Sequence, residues 1–138
     1  MLSMAGPDAV LCPFCRRIVA GDYLRESPGG LVVALLDAYP LSPGHTLAVP
    51  RRHEADLLGL NPQESAELWS FAIELCRGIK GEYAAAALTV GVNAGAAAGQ
   101  TVPHVHLHIV PRFEGDVPDP RGGIRWVLPE RAAYWEDA

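Results

Sequence analysis

The segment His104-Val105-His106-Leu107-His108-Ile109 alternates imidazole with aliphatic side chains, and Val110-Pro111 follows it. Side chains on a strand alternate between faces, so residues two apart stand ~6.6–7 Å apart on one face. The pattern predicts a strand that carries three imidazoles in a row on one face and turns three aliphatics toward a core. Three of the five His in the chain lie here. The segment therefore commits this part of the chain to a sheet with one aliphatic face.

The rest of the chain supplies partners for that strand. Leu31 to Leu36 reads as a buried strand, His45 to Val49 as a second one paired with it, and Leu88 to Asn93 as another. Between the first two, DAYPLSPG holds two Pro and a Gly and reads as a turn. Cys12 to Gly21 reads as a short helix with Pro13 in its first turn, and His53 to Leu58 as a helical turn. A long helix starts at Asn61, the cap, with Pro62 at the first position and Glu64 as capping-box partner. Trp69, Ile73, Cys76, Ile79 and Tyr83 follow at helical spacing as its apolar stripe. Only this helix is long enough for a parallel crossover. A largely antiparallel α+β fold is therefore expected, with one long and one short helix.

At 138 residues, 49% of them hydrophobic, the chain suits one domain with a buried core. Residues 1–11 read as a loose leader and residues 12–112 as the domain. Residues 113–138 form a tail whose Trp126, Val127, Tyr134 and Trp135 are apolar enough to pack on the domain or on a partner. A net charge of −5 argues against a nucleic-acid surface. No uncharged apolar run approaches the ~20 residues that span a bilayer, and no secretory signal opens the chain. Three Cys are too few for a disulfide scaffold. A reducing, cytoplasmic location is expected.

The histidine row has three readings: an exposed His-rich face, a metal-binding row, or a catalytic row. A neutral imidazole is a good nucleophile, with an unperturbed pKa of ~6.5. Neighbouring imidazoles resist joint protonation, which keeps one of them neutral, while a protonated neighbour stabilises phosphate charge. The preceding loop offers Gly95, Gly99, Gln100 and Thr101. Gly lets backbone N–H groups approach an anion, and Gln and Thr add donors; an ordinary hairpin loop is the plain alternative. Cys12-Pro-Phe-Cys15 is open to two chemistries. It resembles a glutaredoxin-type redox pair, with Thr101-Val102-Pro103 mimicking that fold's second element. It also supplies two of the four ligands a tetrahedral metal needs.

HVHLHIV matches the signature of the histidine triad (HIT) superfamily. With LLDAYPLSPGHTLAVPRRH and VGVNAGAAAGQTVPHVHLHIVPR, the chain resembles its bacterial nucleotide-binding branch from about Cys12 to Arg112. The resemblance implies a five-stranded antiparallel sheet, joined to a second sheet across a homodimer. It implies a hydrolase acting on purine, chiefly adenosine, phosphoramidates or dinucleoside polyphosphates; a phosphorylase or nucleotidylyltransferase, or a nucleotide-binding adaptor, is the alternative. By the same resemblance His106 is the nucleophile at the α-phosphorus. His108 contacts phosphate oxygens, the backbone carbonyl of His104 fixes the His106 tautomer, and His45 is a further active-site His. Asp37 matches the residue holding the ribose hydroxyls, and Asn93, Gly99 and Thr101 match sugar and phosphate contacts. Phe14 and Ile18 match the base pocket. In bacterial relatives the positions of His53 and His104 complete a structural Zn²⁺ site with Cys12 and Cys15.

Overall fold

The computed structural model describes residues 7–137. Its centre is one five-stranded antiparallel sheet in the order β1-β2-β3-β5-β4. The strands are β1 (Arg25–Glu26), β2 (Val32–Leu36), β3 (Thr46–Pro50), β4 (Ala87–Val92) and β5 (Leu107–Arg112). The helices are α1 (Pro7–Leu11), α2 (Pro13–Val19), α3 (Pro62–Glu82) and α4 (Pro129–Ala132). No helix among the described residues is long and apolar enough to cross a membrane.

Strand alternation divides the interior into two cores. Val32 and Ala34 of β2, Ala48 of β3, and Leu107 and Ile109 of β5 join Val105 against α3. Val33 and Leu35, with Leu47 and Val49, turn the other way and pack with Cys12, Phe14 and Ile18 around α2. The central strands are thus apolar on both faces. β5 and the residues leading into it put aliphatics on the α3 side and imidazoles on the α2 side.

α3 begins as its residues require. The Asn61 side chain accepts from the Glu64 N–H at 2.8 Å, and Glu64 accepts from the Asn61 N–H at 3.0 Å. Its buried face differs from the expected stripe. Leu68, Phe71, Ala72, Leu75, Cys76 and Ile79 face the sheet, while Trp69 and Ile73 are about half exposed. Two apolar stripes overlap on this helix, and the sheet takes the one that includes Phe71.

Three further expectations are corrected. The leader is not loose throughout: residues 7–11 form α1, which buries Ala9, and residues 1–6 lie outside the described residues. The turn expected over His53 to Leu58 shrinks to a 3₁₀ turn at Leu57–Gly59. β5 starts at Leu107 rather than at His104. The β3–β5 register ends at Ala48↔Leu107, and the next residues of β3 lead to Pro50, which has no N–H for a ladder. The Val105 N–H instead donates to the Glu54 carbonyl at 2.7 Å.

The tail folds on itself as two 3₁₀ turns flanking α4. The Arg125 guanidinium lies 4.6 Å from the Tyr134 ring centre, and Arg121 lies 4.7 Å from that of Trp135.

Candidate active site

The α2 face of the sheet gathers all five histidines into two adjoining groups. α2 brings the cysteines: Cys12 is its N-cap and Cys15 lies in its first turn. The β2–β3 turn brings Asp37 and His45, the approach to β5 brings His104 and His106, and β5 itself brings His108.

The first group is Cys12, Cys15, His53 and His104, whose ligand atoms all lie within 4.8 Å of one another. His104 Nδ1 is 3.4 Å from Cys12 Sγ and 3.5 Å from Cys15 Sγ. His53 Nδ1 is 3.3 Å from both Cys15 Sγ and His104 Nδ1. Four N and S donors on a tetrahedral Zn²⁺ stand about 3.3–3.8 Å apart, given metal distances of about 2.0 and 2.3 Å. The second nitrogen of His104, Nε2, donates to the Pro50 carbonyl at 2.7 Å. That leaves Nδ1 without a proton, as a metal ligand requires. The donor set therefore fits zinc. Without an ion, burial and the neighbouring Cys12 push the Cys15 thiol up to about 12. Burial likewise pushes His104 down to about 4. A bound cation would favour the thiolate and accept the neutral imidazole.

The second group is built from His106, His108, His45 and Asp37. His106 Nδ1 faces the His104 carbonyl at 2.8 Å. A carbonyl only accepts, so the His106 proton sits on Nδ1 and Nε2 keeps its lone pair. The ring is buried and held edge-on by Phe14, with centroids 5.0 Å apart. His108 has the opposite tautomer. The Leu41 N–H donates to His45 Nδ1 at 3.0 Å, which puts the His45 proton on Nε2. That Nε2 lies 3.0 Å from His108 Nδ1. His108 therefore accepts at Nδ1 and carries its proton on Nε2. Burial lowers the pKa of both His45 and His108, with Asp37 opposing, so both rings are neutral at pH 7.

Asp37 sits beside this pair. Its Oδ2 is 3.4 Å from His45 Nε2 and 3.9 Å from His108 Nδ1, and its Oδ1 accepts from the Tyr39 N–H. Asp37, His45 and His108 are also close enough to hold a metal. The Leu41 N–H argues against one, because it keeps the ligating nitrogen of His45 protonated. Asp37, His45 and the Pro40–Gly44 turn line a cleft of about 520 Å³ that Tyr83 closes at one side.

The remaining site residues fall in different settings. Phe14 and Ile18 are buried in the α2-side core. Asn93, Gly99 and Thr101 are exposed on the loop between β4 and the histidines. The Gln100 amide already has partners within that loop and beyond it. Its Oε1 accepts from the Gly95 N–H, and its Nε2 donates to the carbonyls of Ala55 and Val102. The Gly99 N–H is likewise turned to the Ala96 carbonyl. Gln100 shapes the loop rather than offering donors to an anion. Sequence reasoning missed Leu41, whose contribution is a main-chain N–H that no side-chain pattern marks. Arg52 grips the buried Glu64 carboxylate through Nε and Nη2, at 3.0 and 2.9 Å.

Residues 29–115 match the HIT domain. The chain belongs to the HIT domain family. This HIT protein is 43% identical over 89 residues to the AP-4-A phosphorylase of Mycobacterium tuberculosis, covering 64% of this chain and 46% of that enzyme. It is 38% identical over 86 residues to a bis(5'-nucleosyl)-tetraphosphatase (asymmetrical) of Schizosaccharomyces pombe, covering 62% and 47%. The chain thus spans about half the length of these two enzymes. The crystal structure of a Zn-bound histidine triad family protein from Mycobacterium smegmatis superposes with a TM-score of 0.67 at 29% identity, over 94% of this chain and 99% of that one. The likeness extends to the five-stranded antiparallel sheet with its long and short helices.

Proposed function

We propose that this HIT protein is a nucleotidyl hydrolase that cleaves at the α-phosphorus of purine, chiefly adenosine, nucleotides through a covalent intermediate on His106. The observation that carries the reading is the pair of opposite tautomers. His106 offers a lone pair at Nε2 while its neighbour His108 offers a proton donor there. A nucleophile beside a donor is what attack on a phosphoryl group needs. His106 attacks, the leaving group departs, and His108 stabilises charge on the phosphate. Water then releases the nucleoside monophosphate. The relatives named for dinucleoside tetraphosphate chemistry support this substrate class.

Asp37 is proposed to hold the ribose hydroxyls, Asn93, Gly99 and Thr101 the sugar and phosphate, and Phe14 and Ile18 the base. The chain carries net charge −5, so imidazoles and backbone N–H groups, not bulk positive charge, hold the phosphates. Zn²⁺ is proposed to be held by Cys12, Cys15, His53 and His104 as a structural ion, fixing α2 against the segment that carries His106. The active form is proposed to be a cytoplasmic homodimer, supported by the outermost position of β4 and the exposed Trp69 and Ile73. In it the tail's Arg125 and Trp126 reach toward the partner's site. The mycobacterial relative's name favours a second reading, in which phosphate rather than water takes the nucleotide from His106.

The test is direct. The protein is mixed with diadenosine tetraphosphate and with adenosine phosphoramidate, quenched in base, and mapped by mass spectrometry. An AMP adduct on His106, absent in His106→Ala, is expected. Tight nucleotide binding without turnover of any substrate would overturn the reading.

A further inference from the structure

Strand β4 carries a glycine that its local structure does not call for. Gly91 lies inside the run Ala87–Val92, where a missing side chain weakens a strand. Its φ is not in the left-handed region that Gly44, Gly95 and Gly99 occupy, so the backbone does not require glycine there. Crowding does not require it either. Among the described residues, the one atom within 4 Å of a Cβ at Gly91 would be Ile124 Cδ1, at 3.9 Å, an ordinary van der Waals contact. A glycine inside a strand that neither strain nor packing explains often marks the close approach of a ligand.

The empty position faces the histidines. Gly91 pairs with His108 across β4 and β5, and directly opposite residues of an antiparallel pair share one face of the sheet. Val90 and Val92 turn the other way, toward the α3 core. Helix α2 leaves this part of the face open, because the strand residues it packs on, Val33, Leu35, Leu47 and Val49, belong to β2 and β3. The tail borders it instead. Arg112 donates to Thr89 Oγ1 on this face at 3.1 Å and holds Asp116 at 2.8 and 2.9 Å, which fixes the direction in which the tail leaves β5. The 3₁₀ turn Gly123–Val127 then brings Ile124 back over Gly91. The imidazole face thus carries a groove. Phe14, edge-on to His106, stands on one side and Ile124 on the other, with His108 and the bare Gly91 backbone between them.

We infer that Gly91 sets how large a leaving group this site accepts: its missing side chain keeps open a passage between His108 and Ile124 for the part of the substrate beyond the α-phosphorus. The inference rests on the nucleotidyl-transfer reading above and goes beyond it by naming a size-selecting residue. The β3 side of His108 is taken by His45 and Asp37, the second of which is proposed to hold the ribose. The β4 side is left for the departing group. Gly91 offers that group no charge and no polar side chain, so the passage sorts by bulk and is indifferent to whether an amine or a phosphate leaves. The methyl groups of a valine at this position would extend past the Cβ and fill the gap to Ile124.

The experiment uses the full chain, its Gly91→Ala and Gly91→Val variants, and three AMP donors: adenosine phosphoramidate, its N-benzyl derivative and diadenosine tetraphosphate. The readout is the ratio of kcat/KM for each large donor to kcat/KM for adenosine phosphoramidate in the same sample. Loss of folded protein leaves that ratio unmoved, and bond chemistry cancels when variant and unsubstituted protein are compared. Gly91→Val should lower both ratios at least about tenfold, with Gly91→Ala in between. Ratios unchanged in both variants overturn the inference, and so does a fall for the tetraphosphate alone, which would mean that charge and not bulk is sorted. Adding Ile124→Ala to Gly91→Val should restore at least about threefold of the loss. No recovery would remove Ile124 from the passage and overturn its assignment as a wall. An AMP adduct on His106 with unmoved ratios sinks this inference alone. No adduct and no turnover with any of the three donors sinks the nucleotidyl-transfer reading with it.

Discussion

His106 donates its Nδ1–H to the backbone carbonyl of His104, 2.8 Å away, while the His104 ring closes the Cys/His group with Nδ1 3.4 Å from Cys12 Sγ. One residue orients the proposed nucleophile with its main chain and closes the donor set with its side chain. Stripping the proposed zinc, or Cys15→Ser, should therefore loosen His106 as well as the fold. Metal content should drop from one zinc per chain, the melting temperature should fall by several degrees, and activity should fall about 10-fold. Unchanged metal content and melting in Cys15→Ser would refute the ligand set.

Acid should unfold this protein through its buried imidazoles. Burial lowers the pKa of His45 and His108, and in metal-free protein pushes His104 down to about 4. The unfolded chain binds those protons near pH ~6.5. Stability contributed by the neutral rings is thus fully present above ~6.5 and is lost as pH falls through the lower folded values. Denaturant unfolding of chelated protein should show a lower stability at about pH 5 than at about pH 7.5. Equal stability at the two values would contradict the burial argument.

Gly44 precedes His45 with φ +88° and lies against Tyr83. A Cβ there would sit 2.6 Å from a ring carbon. Gly44→Ala combines left-handed strain with a steric clash and should cost about 2–3 kcal/mol. It should also lower kcat more than the loss of folded protein explains, because the displaced turn carries the Leu41–His45 contact. Thermal melts and kinetics on the same samples separate the two effects.

Arg52→Met removes the partner of a buried carboxylate. Glu64 is held below its ordinary pKa chiefly by the Arg52 hydrogen bond, and it also completes the Asn61 capping box. Leaving it unpaired should cost about 1–3 kcal/mol in chemical unfolding. The double variant Arg52→Met, Glu64→Gln should recover part of that loss, and no recovery would show that Arg52 acts elsewhere.

Much of this architecture was legible in the residues. Short apolar runs marked β2, β3 and β4, and the Asn61–Pro62–Glu64 signature marked the start of α3. The alternation from His104 to Ile109 separated the imidazole face from the aliphatic face. The failures have physical reasons. Trp69 and Ile73 keep helical spacing with Cys76 as well as Phe71 and Leu75 do, and only the sheet decides between the stripes. The ladder stops short of His106 because the Glu54 carbonyl captures Val105 N–H and Pro50 has none to give. Gln100 looks like an anion donor until the carbonyls of Ala55 and Val102 occupy it. The Leu41 N–H belongs to every residue type but proline, so no side-chain pattern announces it.

Cys12 and His104 stand 92 residues apart in sequence. Closing so long a loop is entropically slow, and contacts of this separation form late in folding. During synthesis the two thiols of α2 emerge first and His53 follows, but His104, which meets both thiols, arrives only when nearly the whole domain has left the ribosome. The Cys/His group and the main-chain hold on His106 are therefore completed in a single late event, and a chain stalled before His104 has neither.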